Sequence, residues 1–348
     1  MNERISRSEA LQLFQEEEFL SLGRRAHDIR LTKIPENQVT FVIDRNINYS
    51  NICICQCRFC AYYREESDPE GYVLDRETLH QKIAETVDLG GTQILLQGGL
   101  HPHLTIDYYE DLLTDIKKNF PSIHIHGFSA PEIWHFSQQA DLSLEETISR
   151  LKEAGLGSIP GGGAEILDNR VRSHISPNKI GWEQWMQVME YAHRQELRST
   201  ATMMFGTVET PGELVDHLLR VRELQDKTGG FTAFIPWSFQ PDNTDLHNEV
   251  PIAATGVDYL RVLALSRIVL DNIDNIQASW VTQGAKMAQV ALYFGANDFG
   301  STMIEENVVA AAGIHFRMSL EEMVSTIKEA GFTPAQRNTL YKIIKKYD

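Results

Sequence analysis

All four cysteines of the 348-residue chain fall within eight consecutive positions: Cys53, Cys55, Cys57 and Cys60, in the stretch NYSNICICQCRFCAYY. Disulfides that staple a fold join distant segments, so thiols crowded onto one loop read instead as a metal or cluster site. Cys53, Cys57 and Cys60 carry the spacing CxxxCxxC. Three thiolates so spaced can hold three irons of a 4Fe-4S cubane and leave the fourth iron open, and an open iron is a place for chemistry. A ferredoxin-like electron carrier would need a fourth protein ligand, and only Cys55 is on hand for it. A structural zinc site normally uses two CxxC knuckles a dozen or more residues apart, unlike this compressed CxCxCxxC.

An open cluster must be held against a pocket, and the rest of the chain carries a pattern that builds one. Short apolar runs ending in Gly or polar clusters alternate with longer amphipathic segments. Candidate strands lie at 39–47, 93–99, 123–129, 155–163, 198–206, 231–239, 275–280 and 295–301. Helical spacing marks 76–90, 106–120, 143–155, 181–195 and 211–229, with a capping box at Ser143/Glu146 and Pro211 in a first turn. Repeated strand–helix order implies a parallel sheet, and eight repeats imply an α/β fold closed as a (β/α)8 barrel, its site built at the C-terminal ends of the strands. Residues 39–317 are assigned to the barrel. Residues 1–38 and 318–348, the latter opening with a second capping box at Ser319/Glu322, are expected to be helical additions packed on it.

Composition narrows the class. With 42% hydrophobic and 23% charged residues the chain has ordinary globular composition and can bury a large core. A formal charge of -16 sets nucleic acid and anionic membrane against it by repulsion. No apolar run of about 18 residues occurs, which points to a soluble cytoplasmic protein.

Taken together, the cysteine motif on the loop after the first strand, the eightfold repeat and Phe59 just before the last cysteine resemble the radical S-adenosylmethionine (SAM) superfamily. The resemblance implies that SAM chelates the open iron. Reduction of the cluster, by a low-potential flavodoxin or ferredoxin, then cleaves SAM to methionine and a 5'-deoxyadenosyl radical. Cys55 departs from the superfamily's minimal motif and is read as a bystander that packs locally. By the same resemblance, the turn Gln97–Gly98–Gly99 receives the methionine ammonium through its backbone. Glu165 in GGGAEI holds the ribose or methionine moiety, Arg172 lies where a carboxylate contact could form, and Gly206 and Glu209 in MMFGTVET flank the adenine. Each has a plainer reading: tight turns at the glycines, a solvated helix charge at Arg172, a dipole-stabilising acid at Glu209.

Across residues 40–345, strings such as LLQGGLHP, GFSAPEI, TGGFTAFIPWSFQP, IQASWVTQG and MIEENVV are similar to the dehypoxanthine futalosine cyclases of the futalosine route to menaquinone. Sister groups are the aminofutalosine synthases and the tyrosine-using deazaflavin-precursor synthases. The cyclase resemblance implies hydrogen abstraction at ribose C4', addition of the carbon radical to the benzoate ring, and loss of a proton and an electron to restore aromaticity. Substrate-side candidates are taken from the C-terminal ends of strands. They are His101; His126, Ser129 and Glu132; Trp237 and Gln240; Ser279 and Trp280; Asp298 and Ser301. His126 and Asp298 are the candidate catalytic groups, and the others offer stacking faces and hydrogen bonds to the small-molecule substrate. A rival from another class starts from His124 and His126, an HxH on one strand face that could bind a hydrolytic metal, although no matching His stands at later strand ends.

Overall fold

A computed structural model describes residues 4–34 and 36–347. Seven strands, β2 (Asp44–Asn48), β3 (Gln93–Gln97), β4 (His124–Gly127), β5 (Ser158–Ile159), β6 (Arg198–Phe205), β7 (Phe231–Ser238) and β8 (Asn275–Ile276), form one parallel sheet in chain order. β1 (Gln38–Val42) precedes β2 with only Ile43 between them, so the two act as one kinked stave. The last stave is β9 (Asp298–Ser301), parallel to β1 with Thr40 opposite Asp298 and Val42 opposite Ser301. A single bridge, Gln277 to Asp298, and the Ala278 N–H donating to the Asp298 carbonyl at 2.8 Å join β9 to β8. The ring therefore closes around eight staves.

Helices cover the outside. Residues such as Ile94, Leu96 and Ile125 are buried under them, as expected where both faces of a parallel sheet are covered. The helix Leu144–Ala154 starts where the sequence placed it, but Ser143 is only half a box: its Oγ accepts the Glu146 N–H at 3.1 Å and no return bond forms. β5 and β8 are far shorter than their apolar runs. In β5 the chain leaves the ladder at the glycine-rich stretch that follows, where Gly161 lies so close to β6 that a Cβ would meet the Ala201 backbone at 2.7 Å.

The termini differ in kind. Helices Arg7–Glu16 and Phe19–Lys33 pack on helices Pro211–Thr228 and Gly256–Val269 respectively. At the other end only Leu320–Glu329 is helical, opened by the Ser319/Glu322 box. The expectation of a wholly helical C-terminal addition is corrected by β10 (Thr333–Arg337), parallel to β1, and β11 (Ile343–Lys346), antiparallel to β10. The reason is that β3 runs beside β2 and β4 and does not reach back along β1, so the edge of β1 turned away from β9 has its backbone groups free for β10. No helix among the described residues is long and apolar enough to cross a membrane.

Candidate active site

The cysteine loop leaves the C-terminal end of β2 and is tied to the turn that ends β3. Tyr49 N–H donates to the Gln97 carbonyl (3.2 Å), Gly99 N–H to Ser50 (2.9 Å) and Ile54 N–H to Leu100 (3.0 Å). A Cβ on Gly99 would lie 2.1 Å from the Ile52 carbonyl oxygen and 2.8 Å from Cys53 Cβ; one on Gly98 would meet the Tyr49 ring at 2.4 Å. Close approach, not backbone freedom, is what these two positions need from glycine. Beneath the turn, the buried Glu132 carboxylate gathers four donors. Oε1 accepts from Tyr49 Oη (2.8 Å) and Gly98 N (3.0 Å), and Oε2 accepts from Ser129 N (2.7 Å) and Ser129 Oγ (2.6 Å). Burial pushes the Glu132 carboxyl up to about 7 even so. Ser129 and Glu132 thus form a capping box that supports the glycine turn, and neither lines the barrel cavity.

Among the thiols, Cys55 is the most buried, and its thiol lies between Cys53 and Cys57, close enough to interact with either. Its Sγ also reaches the Asn178 carbonyl at 3.6 Å. Hydrogen bonding from the Cys55 thiol, helped by the Leu100 N–H that donates to Cys53 Sγ at 3.3 Å, holds Cys53 at about 6 against the effect of burial. Cys57 is lowered for the same leading reason, while burial raises Cys60 to about 11. No group of three or more His, Cys, Asp or Glu among the described residues forms a ready-made cage for a single metal ion. What the loop offers is an all-sulfur donor set on a glycine floor, the chemistry that suits an iron–sulfur cluster.

Glu165 follows the triple glycine with φ +40°, a left-handed conformation held by its neighbours. Oε1 accepts from Lys179 Nζ at 2.9 Å, while Oε2 is buried with no hydrogen-bond partner and lies 3.6 Å from Arg172. Lys179, which the sequence reading passed over, sits 4.9 Å from the Phe59 ring centroid. Burial would lower its ammonium, but Cys57, Glu165 and Cys55 around it raise it. Arg172 is not a solvated charge: it is 2% exposed and donates to the Ala164, Gly163 and Ile180 carbonyls at 2.6–3.0 Å. It clamps the loop that carries Glu165. Glu209 is likewise turned inward on its own loop, accepting from Gly206 N (2.5 Å), Thr207 N (2.9 Å) and Thr207 Oγ1 (2.6 Å).

A cavity of about 300 Å³ runs down the barrel from this corner. Gln97, His126 and Glu165 line it, as do Trp237, Ser279, Trp280 and Ser301. His101, Gln240 and Asp298 do not. His101 Nδ1 accepts the His103 N–H at 3.1 Å, and Gln240 donates to Ser238. Asp298 is fully buried in a two-pronged pair with Arg337 (2.6 and 2.9 Å), which leaves it no free face for catalysis. The floor was not foreseen. Asp44 accepts from Ser301 Oγ and Gln93 Nε2, Thr339 Oγ1 donates to Gln93 at 2.5 Å, and Arg337 stacks 3.9 Å over Tyr341. Strand alternation could have revealed Asp44, Thr200 and Thr202 as inward residues. Nothing local marks Arg337, Thr339 or Tyr341, which reach the cavity only because β10 pairs with β1.

His124 Nε2 and His126 Nδ1 meet at one hydroxyl, Ser158 Oγ, at 2.7 and 2.6 Å. Burial holds both imidazoles neutral, at about 4 and about 3. That arrangement does not support the hydrolase rival, because each ring spends a nitrogen on the serine.

Comparison with known families agrees with this geometry. Residues 47–221 match the Radical SAM superfamily model. The chain belongs to that superfamily. In this radical SAM protein, residues 228–347 also match the CofH/MqnC C-terminal region. It is 49% identical over 346 residues to the cyclic dehypoxanthine futalosine synthase of Halalkalibacterium halodurans, covering 99% of this chain and 93% of that one. Identity to the synthase of the same name from Streptomyces coelicolor is 43%, covering 99% and 87%. The 5-amino-6-(D-ribitylamino)uracil–L-tyrosine 4-hydroxyphenyl transferase of Methanopyrus kandleri is 43% identical, covering 93% of this chain and 89% of that one. Among solved structures, the hydrogenase maturase HydG aligns with TM-score 0.75 at 19% identity, covering 97% of this chain and 74% of that one. Methylornithine synthase (PylB) aligns with TM-score 0.74 at 17%, covering 96% and 95%. The barrel is therefore the fold of these two enzymes as well.

Proposed function

We propose that this radical SAM enzyme is a dehypoxanthine futalosine cyclase acting in the futalosine route to menaquinone. The observation that carries the reading is the 49% identity to a synthase of that name along essentially the whole chain, cavity-forming C-terminal strands included. Cys53, Cys57 and Cys60 would hold the 4Fe-4S cluster on the loop that Gly99 presses against, with Cys55 turned to Asn178. Bound there, a reduced cluster supplies the electron that cleaves SAM into methionine and a 5'-deoxyadenosyl radical. A low-potential flavodoxin or ferredoxin is the fitting donor.

The chain's own residues then have separable tasks. Gln97, Gly98 and Gly99 offer backbone groups to the methionine end of SAM, and Glu132 holds that turn in place. Glu165 presents a buried, unpartnered Oε2 as an acceptor, aligned by Lys179 and Arg172. Gly206 and Glu209 keep the β6 loop closed beside them. Trp237 and Trp280 wall the cavity with aromatic faces for a benzoate ring, and Ser279 and Ser301 add hydroxyls to its lining.

A second reading rests on the archaeal transferases, which match almost as strongly. The discriminating experiment is anaerobic incubation of reconstituted enzyme with SAM, reductant and, in separate vessels, dehypoxanthine futalosine or tyrosine plus 5-amino-6-(D-ribitylamino)uracil. A product two hydrogens lighter than dehypoxanthine futalosine is the expected result. Product in the tyrosine vessel alone would replace the cyclase reading with the transferase one.

A further inference from the structure

Restoring aromaticity after ring closure releases a proton deep in a closed barrel, and the cavity offers a route for it. His126 lines the cavity, and its Nε2 has no partner among the described residues. Its Nδ1 is 2.6 Å from Ser158 Oγ, and the same oxygen is 2.7 Å from His124 Nε2. His124 is the first residue of β4, half-buried at the N-terminal rim of the barrel, on the far side from the cysteine loop. His124 and His126 share one strand face, and Ser158 stands opposite His126 in the β4–β5 register, so the chain of contacts is built into the sheet. A Cβ on Gly157 would meet the His124 ring at 2.6 Å, so glycine there makes the room the imidazole occupies.

A serine hydroxyl has one hydrogen and two lone pairs. Bonded to two neutral imidazoles, it accepts from one and donates to the other, which ties their tautomers together. When His126 donates through Nδ1, its Nε2 lone pair faces the cavity as a base and Ser158 donates to His124 Nε2. We infer that His126, Ser158 and His124 form a proton conduit leading from the substrate cavity to the N-terminal rim.

In this step, which rests on the cyclase reading, the ring C–H bond of the spirocyclic radical breaks and its proton goes to His126 Nε2. The Nδ1 proton passes to Ser158 Oγ, the serine's own proton to His124 Nε2, and the His124 Nδ1 proton to water. The electron pair of the broken C–H bond rejoins the ring, and the surplus single electron leaves to a one-electron acceptor of the iron–sulfur class. His126 is then the catalytic residue, while Ser158 and His124 act through it as positioning residues.

The test measures 5'-deoxyadenosine and cyclised product together in reconstituted wild type, Ser158→Ala, Ser158→Thr and His124→Gln, in light and heavy water. Radical formation precedes the proton step, so Ser158→Ala and His124→Gln should still release 5'-deoxyadenosine while the product-to-deoxyadenosine ratio falls at least about tenfold, less than the roughly 10²–10⁴-fold expected where the base itself is lost, because His126 remains. Ser158→Thr, which keeps the hydroxyl, should recover the ratio, and the solvent isotope effect on product should change only in the two variants that break the chain. An unchanged ratio in Ser158→Ala and His124→Gln, or a parallel fall of both compounds, overturns the conduit. Wild-type enzyme that cleaves SAM but never cyclises this substrate overturns the cyclase reading instead, and the conduit with it.

Discussion

Glu132→Gln replaces the ionisable carboxyl under the glycine turn with an amide of nearly equal volume, so its effects can be worked out from the four donors around it. The carboxylate accepts two backbone N–H groups, from Gly98 and Ser129, whose directions are fixed, and two hydroxyls that can rotate. An amide keeps one oxygen for one of those N–H groups and turns an NH2 toward the other. One buried donor then loses its acceptor, a loss of about 1–3 kcal/mol. The pH dependence gives the sharper test. Burial pushes the folded-state carboxyl up to about 7, above the roughly 4.3 of an unfolded glutamate. A raised pKa means the folded state holds the proton more tightly, so this group's contribution is full in acid and is lost as the pH rises through about 7. Between pH 5 and 8 wild type should give up about 2–3 kcal/mol from Glu132 alone, and the glutamine variant none. Denaturant midpoints of the two apoproteins, measured side by side under reductant, should therefore lie well apart at pH 5 and converge at pH 8. A gap that is constant, or that widens toward pH 8, would show that the four donors outweigh burial and that Glu132 is an ordinary ionised carboxylate.

Three other sets of substitutions bear on separate parts of the site. Cys53→Ala, Cys57→Ala and Cys60→Ala should each abolish cluster assembly, read as iron and acid-labile sulfide after anaerobic reconstitution, whereas Cys55→Ala should retain both; equal loss in Cys55→Ala would make it a ligand. Gly99→Ala forces a methyl to within 2.1 Å of a backbone oxygen that cannot rotate away, so the turn and the cysteine loop should separate at about 1–3 kcal/mol, with weaker SAM binding by equilibrium dialysis. An apoprotein that melts like wild type would contradict this. Arg337→Ala strands the fully buried Asp298 charge and should destabilise by about 3–5 kcal/mol, whereas the double variant Arg337→Met/Asp298→Leu should recover much of the loss in thermal melts.

Much of the barrel is legible because its signals are local. Each apolar run between Gln38 and Ser301 contains a strand, and the five marked helices form. Strand length was less legible: the run at 155–163 yields only Ser158–Ile159, since ladder bonding depends on the neighbouring strand and not on the run itself. The C-terminal strands were missed for a related reason. Residues 333–346 carry no strong strand alternation, and their state is decided by the open edge of β1, 295 residues away in sequence. In the site, the cysteine motif and the Gly98–Gly99 turn were visible from residue type and spacing. The roles of Ser129, Glu132, Arg172 and Glu209 were not, because a carboxylate or guanidinium at a strand end looks the same whether it faces a ligand or, as here, the backbone of its own loop. Asp298 illustrates the same limit: its partner Arg337 comes from a segment expected to lie outside the barrel.

One isotopic measurement bears most directly on the cyclase reading. Dehypoxanthine futalosine deuterated at ribose C4' is incubated anaerobically with reconstituted enzyme, SAM and reductant, and the 5'-deoxyadenosine is analysed by mass spectrometry. Deuterium should move into the deoxyadenosine, in step with a product that has lost that label. Deoxyadenosine free of deuterium, formed while the C4' label stays in the recovered substrate, would contradict the assignment.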